Sequence, residues 1–155
     1  MSFNLTSPVT GSPQTGLTSP TFTVAVDTPP NANSKQWAVT VLGGTQAGVT
    51  ANTVSSPFTI TGVRPATLRS LGSPNPITGV VSNVPFNVYK VITRKGVVPL
   101  AGQAPVVMNI TTTVSVPAGA DTADMASIRS AFSAHIGALD QQSAGLGDLA
   151  NNGIL

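Results

Sequence analysis

Residues Val106 to Asp140 read VVMNITTTVSVPAGADTADMASIRSAFSAHIGALD, and the hydrophobic period changes once within them. In the first part Met108, Ile110, Thr112, Val114 and Val116 alternate with Asn109, Thr111, Thr113 and Ser115. A period of two puts the first set on one face of a strand and the second on the other. After VPAG the apolar residues Met125, Ile128, Phe132, Ile136 and Leu139 recur at three- and four-residue spacing. That spacing predicts a one-sided helix of about 18 residues, with Asp121 or Thr122 as its N-cap. A second, weaker segment, Ser143 to Leu149, contains Gly145 and Gly147 and is expected to be short or irregular before the NNGIL tail.

Upstream of the switch, Val and Thr alternate with polar residues between clusters of Gly, Pro, Ser and Asn, the pattern of an antiparallel sheet. The tetrad LTSP occurs at Leu5 to Pro8 and again at Leu17 to Pro20, around the turn-forming GSPQTG. This predicts an N-terminal hairpin within residues 1–30, with arms Phe3 to Thr10 and Leu17 to Asp27 and its prolines at edge positions, because proline donates nothing to a ladder. Further strands are expected at Lys35 to Leu42, Pro57 to Arg64, Pro85 to Lys95 and Val106 to Val116, so residues 35–116 form the sheet and 121–155 the helical region of one domain spanning 1–155. One helix covers only a few strands. The core is therefore incomplete in a single copy, and a dimer joined sheet to sheet, with both helices on one side, completes it.

Composition points the same way. Charged residues make up 8% of the 155-residue chain, about a third of the usual share, while hydrophobic residues make up 41%. Interface cores are depleted in charge, so a surface this poor in it suits copies that cover one another. The apolar stretches are short, well below the run of about 18 that spans a bilayer; no membrane partner is expected, and the MSFNLTSPVT start does not read as a secretory signal. Cysteine is absent, which removes disulfides, thiolate metal sites and thiol nucleophiles. Charge is segregated by sign. Residues 1–120 carry Lys35, Arg64, Arg69, Lys90, Arg94 and Lys95 against Asp27 (six minus one, +5); residues 121–155 carry Arg129 against Asp121, Asp124, Asp140 and Asp148 (one minus four, −3). A basic face suits a polyanion, although twelve charges are few enough for the split to be scatter.

Across most of the chain the order of segments resembles the coat proteins of single-stranded RNA bacteriophages. The resemblance is carried by NVYKVITRKG, the Gly/Pro-containing loop after it, the final strand ending VPAGADTAD, the helix AFSAHIGALDQQSAGLGD and the terminal LANNGIL, with KQWAVTVLGGTQAGV and SPFTITGVRP upstream. It implies an α+β fold, with an N-terminal β-hairpin, a five-stranded antiparallel sheet and C-terminal helices. Dimerisation would give a continuous ten-stranded sheet covered on one face by helices. It also implies a structural capsid role in the virion: an icosahedral shell, of T=3 type, that encloses viral single-stranded RNA, assembles in the bacterial host cytoplasm and takes up the phage maturation protein. The inner sheet face would bind an RNA stem-loop and repress replicase translation. The loop Gly96 to Pro105 would meet its symmetry mates at the five-fold and quasi-six-fold axes.

RNA contact calls for cations that reach phosphates and for hydroxyl or amide groups. Lys90 and Arg94 lie four residues apart on one strand and point to the same side; Arg64 and Arg69 follow a neighbouring strand; Asn109, Thr111 and Thr113 complete the candidate surface. The plainer account is that these are solvated residues of an open sheet face. Lys95 has the opposite parity and suits the loop or the shell, and Tyr89 and Trp37 suit packing. Nothing assembles into a catalytic, metal or cofactor site. His135 is expected to be packed or at an interface, no G-x-S-x-G elbow accompanies Ser133, Glu is absent, and Asp121 and Asp124 suit a helix N-terminus. A non-catalytic β-sandwich binding or adhesion module is the alternative; it requires a second sheet.

Overall fold

The computed structural model describes residues 2–154; Met1 and Leu155, the outermost residues of the expected hairpin region and tail, lie outside them. Six strands form one antiparallel sheet in sequence order: β1 (Val9–Thr10), β2 (Thr18–Asp27), β3 (Ser34–Thr45), β4 (Phe58–Val63), β5 (Phe86–Val97) and β6 (Val106–Pro117). Three helices follow, α1 (Ala120–Ala123), α2 (Met125–Gln141) and α3 (Ser143–Asn152). The expected five-stranded sheet is β2 to β6, and β1 adds a short sixth strand at its edge. All described strands share this sheet, so the second sheet of a sandwich is missing among the described residues.

The N-terminal arm departs from the expected long hairpin. Only Val9 and Thr10 pair with β2, opposite Phe22 and Thr21. Pro8 has no N–H to extend the ladder, and the Ser7 hydroxyl accepts instead from the Val24 N–H at 3.1 Å. The residues before it cross the sheet. Phe3 packs edge-on to Trp37, with ring centroids 5.5 Å apart, and Lys35 donates to the Phe3 carbonyl and to Asn4 Oδ1. Packing Phe3 against Trp37 and partly burying Leu5 outweighs continued pairing of a proline-interrupted strand. The core lies beneath this arm: Val24, Trp37 and Val39 are buried, flanked by Leu5, Val9, Phe22, Leu42 and Phe58. Pro20 sits where the β2–β3 register shifts between Thr18 and Thr21, a place that tolerates a missing donor.

The helical region also differs in detail. Thr122 donates its hydroxyl to the Gly119 carbonyl at 2.9 Å and belongs to the one-turn α1. Asp124 then leaves helical geometry (φ −146°, ψ 57°), and its carboxylate accepts from the Ser127 N–H at 3.2 Å, so Asp124 rather than Asp121 or Thr122 caps α2. The weak second segment is a regular ten-residue helix reaching Asn152 and ended by left-handed Gly153. Tertiary contact overrides its poor propensity. Gln14, in the N-terminal turn, packs where a Gly147 side chain would stand and donates to the Ser143 carbonyl and hydroxyl at 2.7 Å. Ser12 and Thr15 donate to Asp140 and Asp148, so the turn clasps the α2–α3 corner. No helix among the described residues is long and apolar enough to cross a membrane.

Candidate functional site

Directly opposed residues in an antiparallel ladder share a face, so the register assigns every strand residue to a side. Lys90 is opposite Thr113, Ile92 opposite Thr111 and Arg94 opposite Asn109. Lys90, Arg94, Asn109, Thr111 and Thr113 therefore form one patch across β5 and β6, and all five are exposed. The two cations stand roughly 13 Å apart along the strand. On β4, Val63, Thr61 and Thr59 oppose Lys90, Ile92 and Arg94 and continue the patch. On β3 it reaches Ser34, Gln36 and Ala38.

A hydrogen-bonded row crosses this face: Thr61 Oγ1 donates to Gln36 Oε1 at 3.0 Å, and Gln36 Nε2 donates to Asp27 Oδ2 at 2.7 Å. Beside it the buried Thr59 hydroxyl has no hydrogen-bond partner among the described residues. The positive end of the face is at β5, and its one carboxylate is at β2. Thr59, Thr61 and Gln36 were not candidates from sequence. The alternation in PFTITGVR separates Thr59 and Thr61 from Phe58 and Ile60, but only the pairing register brings them beside Lys90 and Arg94.

Arg64 does not join this cluster. Arg64 follows the end of β4, where its N–H donates to the Asn33 carbonyl at 3.0 Å, and it lines a hollow on the opposite side of the sheet. Arg69 lies in the β4–β5 connection, its backbone held by the Asn87 side chain through Arg69 N–H to Oδ1 at 2.8 Å and Nδ2 to the Arg69 carbonyl at 3.0 Å. Lys95 takes the opposite face, as its parity predicts. It donates to Thr50 Oγ1 at 3.1 Å and stands 5.1 Å from the Phe58 ring centroid, fastening the β3–β4 loop, and burial lowers its pKa.

The second face is divided. Over β2 to β4 the N-terminal arm covers its centre, around Trp37 and Val39, and leaves Val26 and Val41 open at the margin. Over β5 and β6 it shows Tyr89, Val91, Met108, Ile110, Val114 and Val116, with Ile110 57% exposed. No residue of α2 is buried, and Phe132, Ile136 and Leu139 are open. Between helix and sheet lies a hollow of about 660 Å³, lined by Phe3, Gly62, Arg64, Tyr89, Val91 and Phe132 among others. His135, expected to be packed or at an interface, is exposed on α2 in the single chain. The chain exposes 10548 Å², whereas a folded monomer of its 15.6 kDa ordinarily exposes about 7,200 Å². β6 is moreover a twelve-residue edge strand with one side unpaired, a template for further pairing.

No protein-family model matches the chain, nor does any curated protein. Among solved structures it is similar to the virus-like particle of bacteriophage ESE020, with 54% identity, a TM-score of 0.96 and coverage of 99% of this chain and 100% of that one. The virus-like particle of Beihai levi-like virus 32 aligns at 19% identity and a TM-score of 0.45, over 86% of this chain and 88% of that one.

Proposed function

The chain belongs to the coat proteins of RNA bacteriophages, and from that premise we propose that it dimerises through β6 and α2, closes into an icosahedral shell and holds viral RNA on the Lys90–Arg94 face. Its role is structural and non-enzymatic, as a component of the virion. The observation that carries the dimer is the unburied α2 above an open apolar β5–β6 face. Pairing β6 with its mate antiparallel would satisfy both edges and join two β2–β6 sheets into ten strands. The α2 stripe of each copy would then enter the hollow over the other's Tyr89, Val91 and Val114. Burying apolar side chains of this size stabilises by about 1.5–3 kcal/mol each, enough in sum to hold two folded copies together.

The opposite face stays open in such a dimer and, in a shell with helices outward, looks into the lumen. Lys90 and Arg94 there reach phosphates, while the exposed Asn109, Thr111 and Thr113 offer hydrogen bonds to bases or sugars. Stem-loop recognition and repression of replicase translation fall to this face, with Arg69 near its β5 end and Arg64 on the other side of the sheet. A T=3 lattice, assembly in the bacterial cytoplasm and uptake of the maturation protein complete the reading.

Expression of the chain alone, followed by electron microscopy and ultraviolet absorbance, tests it. Uniform shells containing nucleic acid are expected; a monomer free of RNA would sink it. Replacing Lys90 and Arg94 by alanine should leave dimers intact and lower the log–log salt slope of single-strand binding by about 1.4, since each charge contributes about 0.7.

A further inference from the structure

The β4–β5 connection, residues 64–85, is long, and from Ser70 to Pro85 it carries no charged residue. It is nevertheless ordered by its own hydrogen bonds. Asn75 Oδ1 accepts from the Ile77 and Thr78 N–H groups, the Asn75 carbonyl accepts from Gly79, and the Asn75 N–H donates to Val80. The base is pinned by the Arg69–Asn87 pair and by Leu71 against Gly119. This built turn points its apolar residues outward: Ile77 is 93% exposed and Val80 61%. A tip already ordered loses little conformational freedom on contact, so it binds at low entropic cost.

The same chain carries a matching recess. At the root of the connection is a hollow of about 540 Å³ whose lining includes Pro65, Val84, Pro85, Phe86 and Val88. It lies at the end of the sheet where β5 begins, apart from the β6 edge and the α2 hollow that the dimer would use. An obligate dimer contact at the large end of the usual range removes about 2,500 Å² per chain. The excess surface is about 3,300 Å², which leaves area for a contact of another kind. A charge-free tip does not suit RNA, whereas a knob and a recess on one chain form a heterologous contact that repeats from copy to copy.

We propose that the Asn75–Val80 turn is a second assembly contact, in which Ile77 and Val80 of one copy seat in the Val84–Phe86 hollow of a copy in a neighbouring dimer. This rests on the coat reading and adds to it a contact between dimers besides the one expected of the Gly96 to Pro105 loop.

The absence of native cysteine permits a clean test. Differently tagged Ile77→Cys and Val84→Cys chains are co-expressed, assembled and oxidised, and run on a non-reducing gel. A mixed disulfide between the two tags is expected, since bridging needs Cα atoms within about 7 Å; its absence, or only same-tag disulfides, overturns the contact. In parallel, Ile77→Asp should give dimers with unchanged melting temperature and at least tenfold fewer closed particles, and adding Val84→Lys should restore them. Wild-type particle yield from Ile77→Asp, or loss that Val84→Lys leaves unrepaired, overturns the proposal. The coat reading itself fails only if the unsubstituted chain forms no particles.

Discussion

The two halves of the sheet carry the same strand chemistry and end differently. On β2 to β4 the centre of the apolar face is covered by the chain's own arm: Phe3 on Trp37, Leu5 and Val9 beside Val24 and Val39, with Lys35 fastening Asn4. On β5 and β6 the equivalent face lies open, and the helix with the complementary stripe buries none of its residues. The long segment before β5 is spent on an outward turn that leaves Ile77 and Val80 exposed. One half is finished within the chain. The other is left open, and it is the face that the proposed dimer would cover.

Substitutions can break that contrast in order of expected effect. Trp37→Ala removes the largest side chain of the sealed half, and should cost about 3–5 kcal/mol; soluble folded protein should be lost, as circular dichroism will report. Ile110→Asp on the open half should leave secondary structure in place yet abolish dimers, seen as a halved mass in light scattering, because an unpaired charge cannot enter the apolar contact. If both variants unfold alike, the two halves are not distinct. Asp124→Ala deletes the α2 cap and should cost about 1 kcal/mol, measured as a lower urea midpoint with dimers retained.

The smallest effect is expected at Lys95. Burial lowers its pKa in the folded state, so between that lowered value and its unfolded value near 10.5 the unfolded chain binds more protons. Stability then rises with pH across that window. Lys95→Met should remove that alkaline rise in thermal melts, and an unchanged pH profile would show that the Thr50 and Phe58 contacts leave the ammonium fully solvated.

Much of this contrast was legible in the sequence. The alternation from Met108 to Val116 separates the apolar face of β6 from Asn109, Thr111 and Thr113, and the stripe from Met125 to Leu139 marks α2, since both periods are local properties. Lys90 and Arg94 fall together for the same reason. Long-range contacts were not legible. Phe3 crossing to Trp37, Gln14 stabilising a glycine-containing α3 and Asn87 holding the Arg69 backbone all join residues distant in the chain. The transfer of the cap from Asp121 or Thr122 to Asp124 depends on a one-turn helix too short to show a period. Thr59 and Thr61 needed the β4–β5 register.

Hydrogen exchange along β6 tests most directly whether the open half is closed by a second copy. In purified dimers the Val106–Pro117 amides that point away from β5 should be protected as strongly as those that point toward it, and dilution or Ile110→Asp should release them together. Rapid exchange of the outward amides in the intact protein would contradict the account, because it would leave the long edge of β6 unpaired.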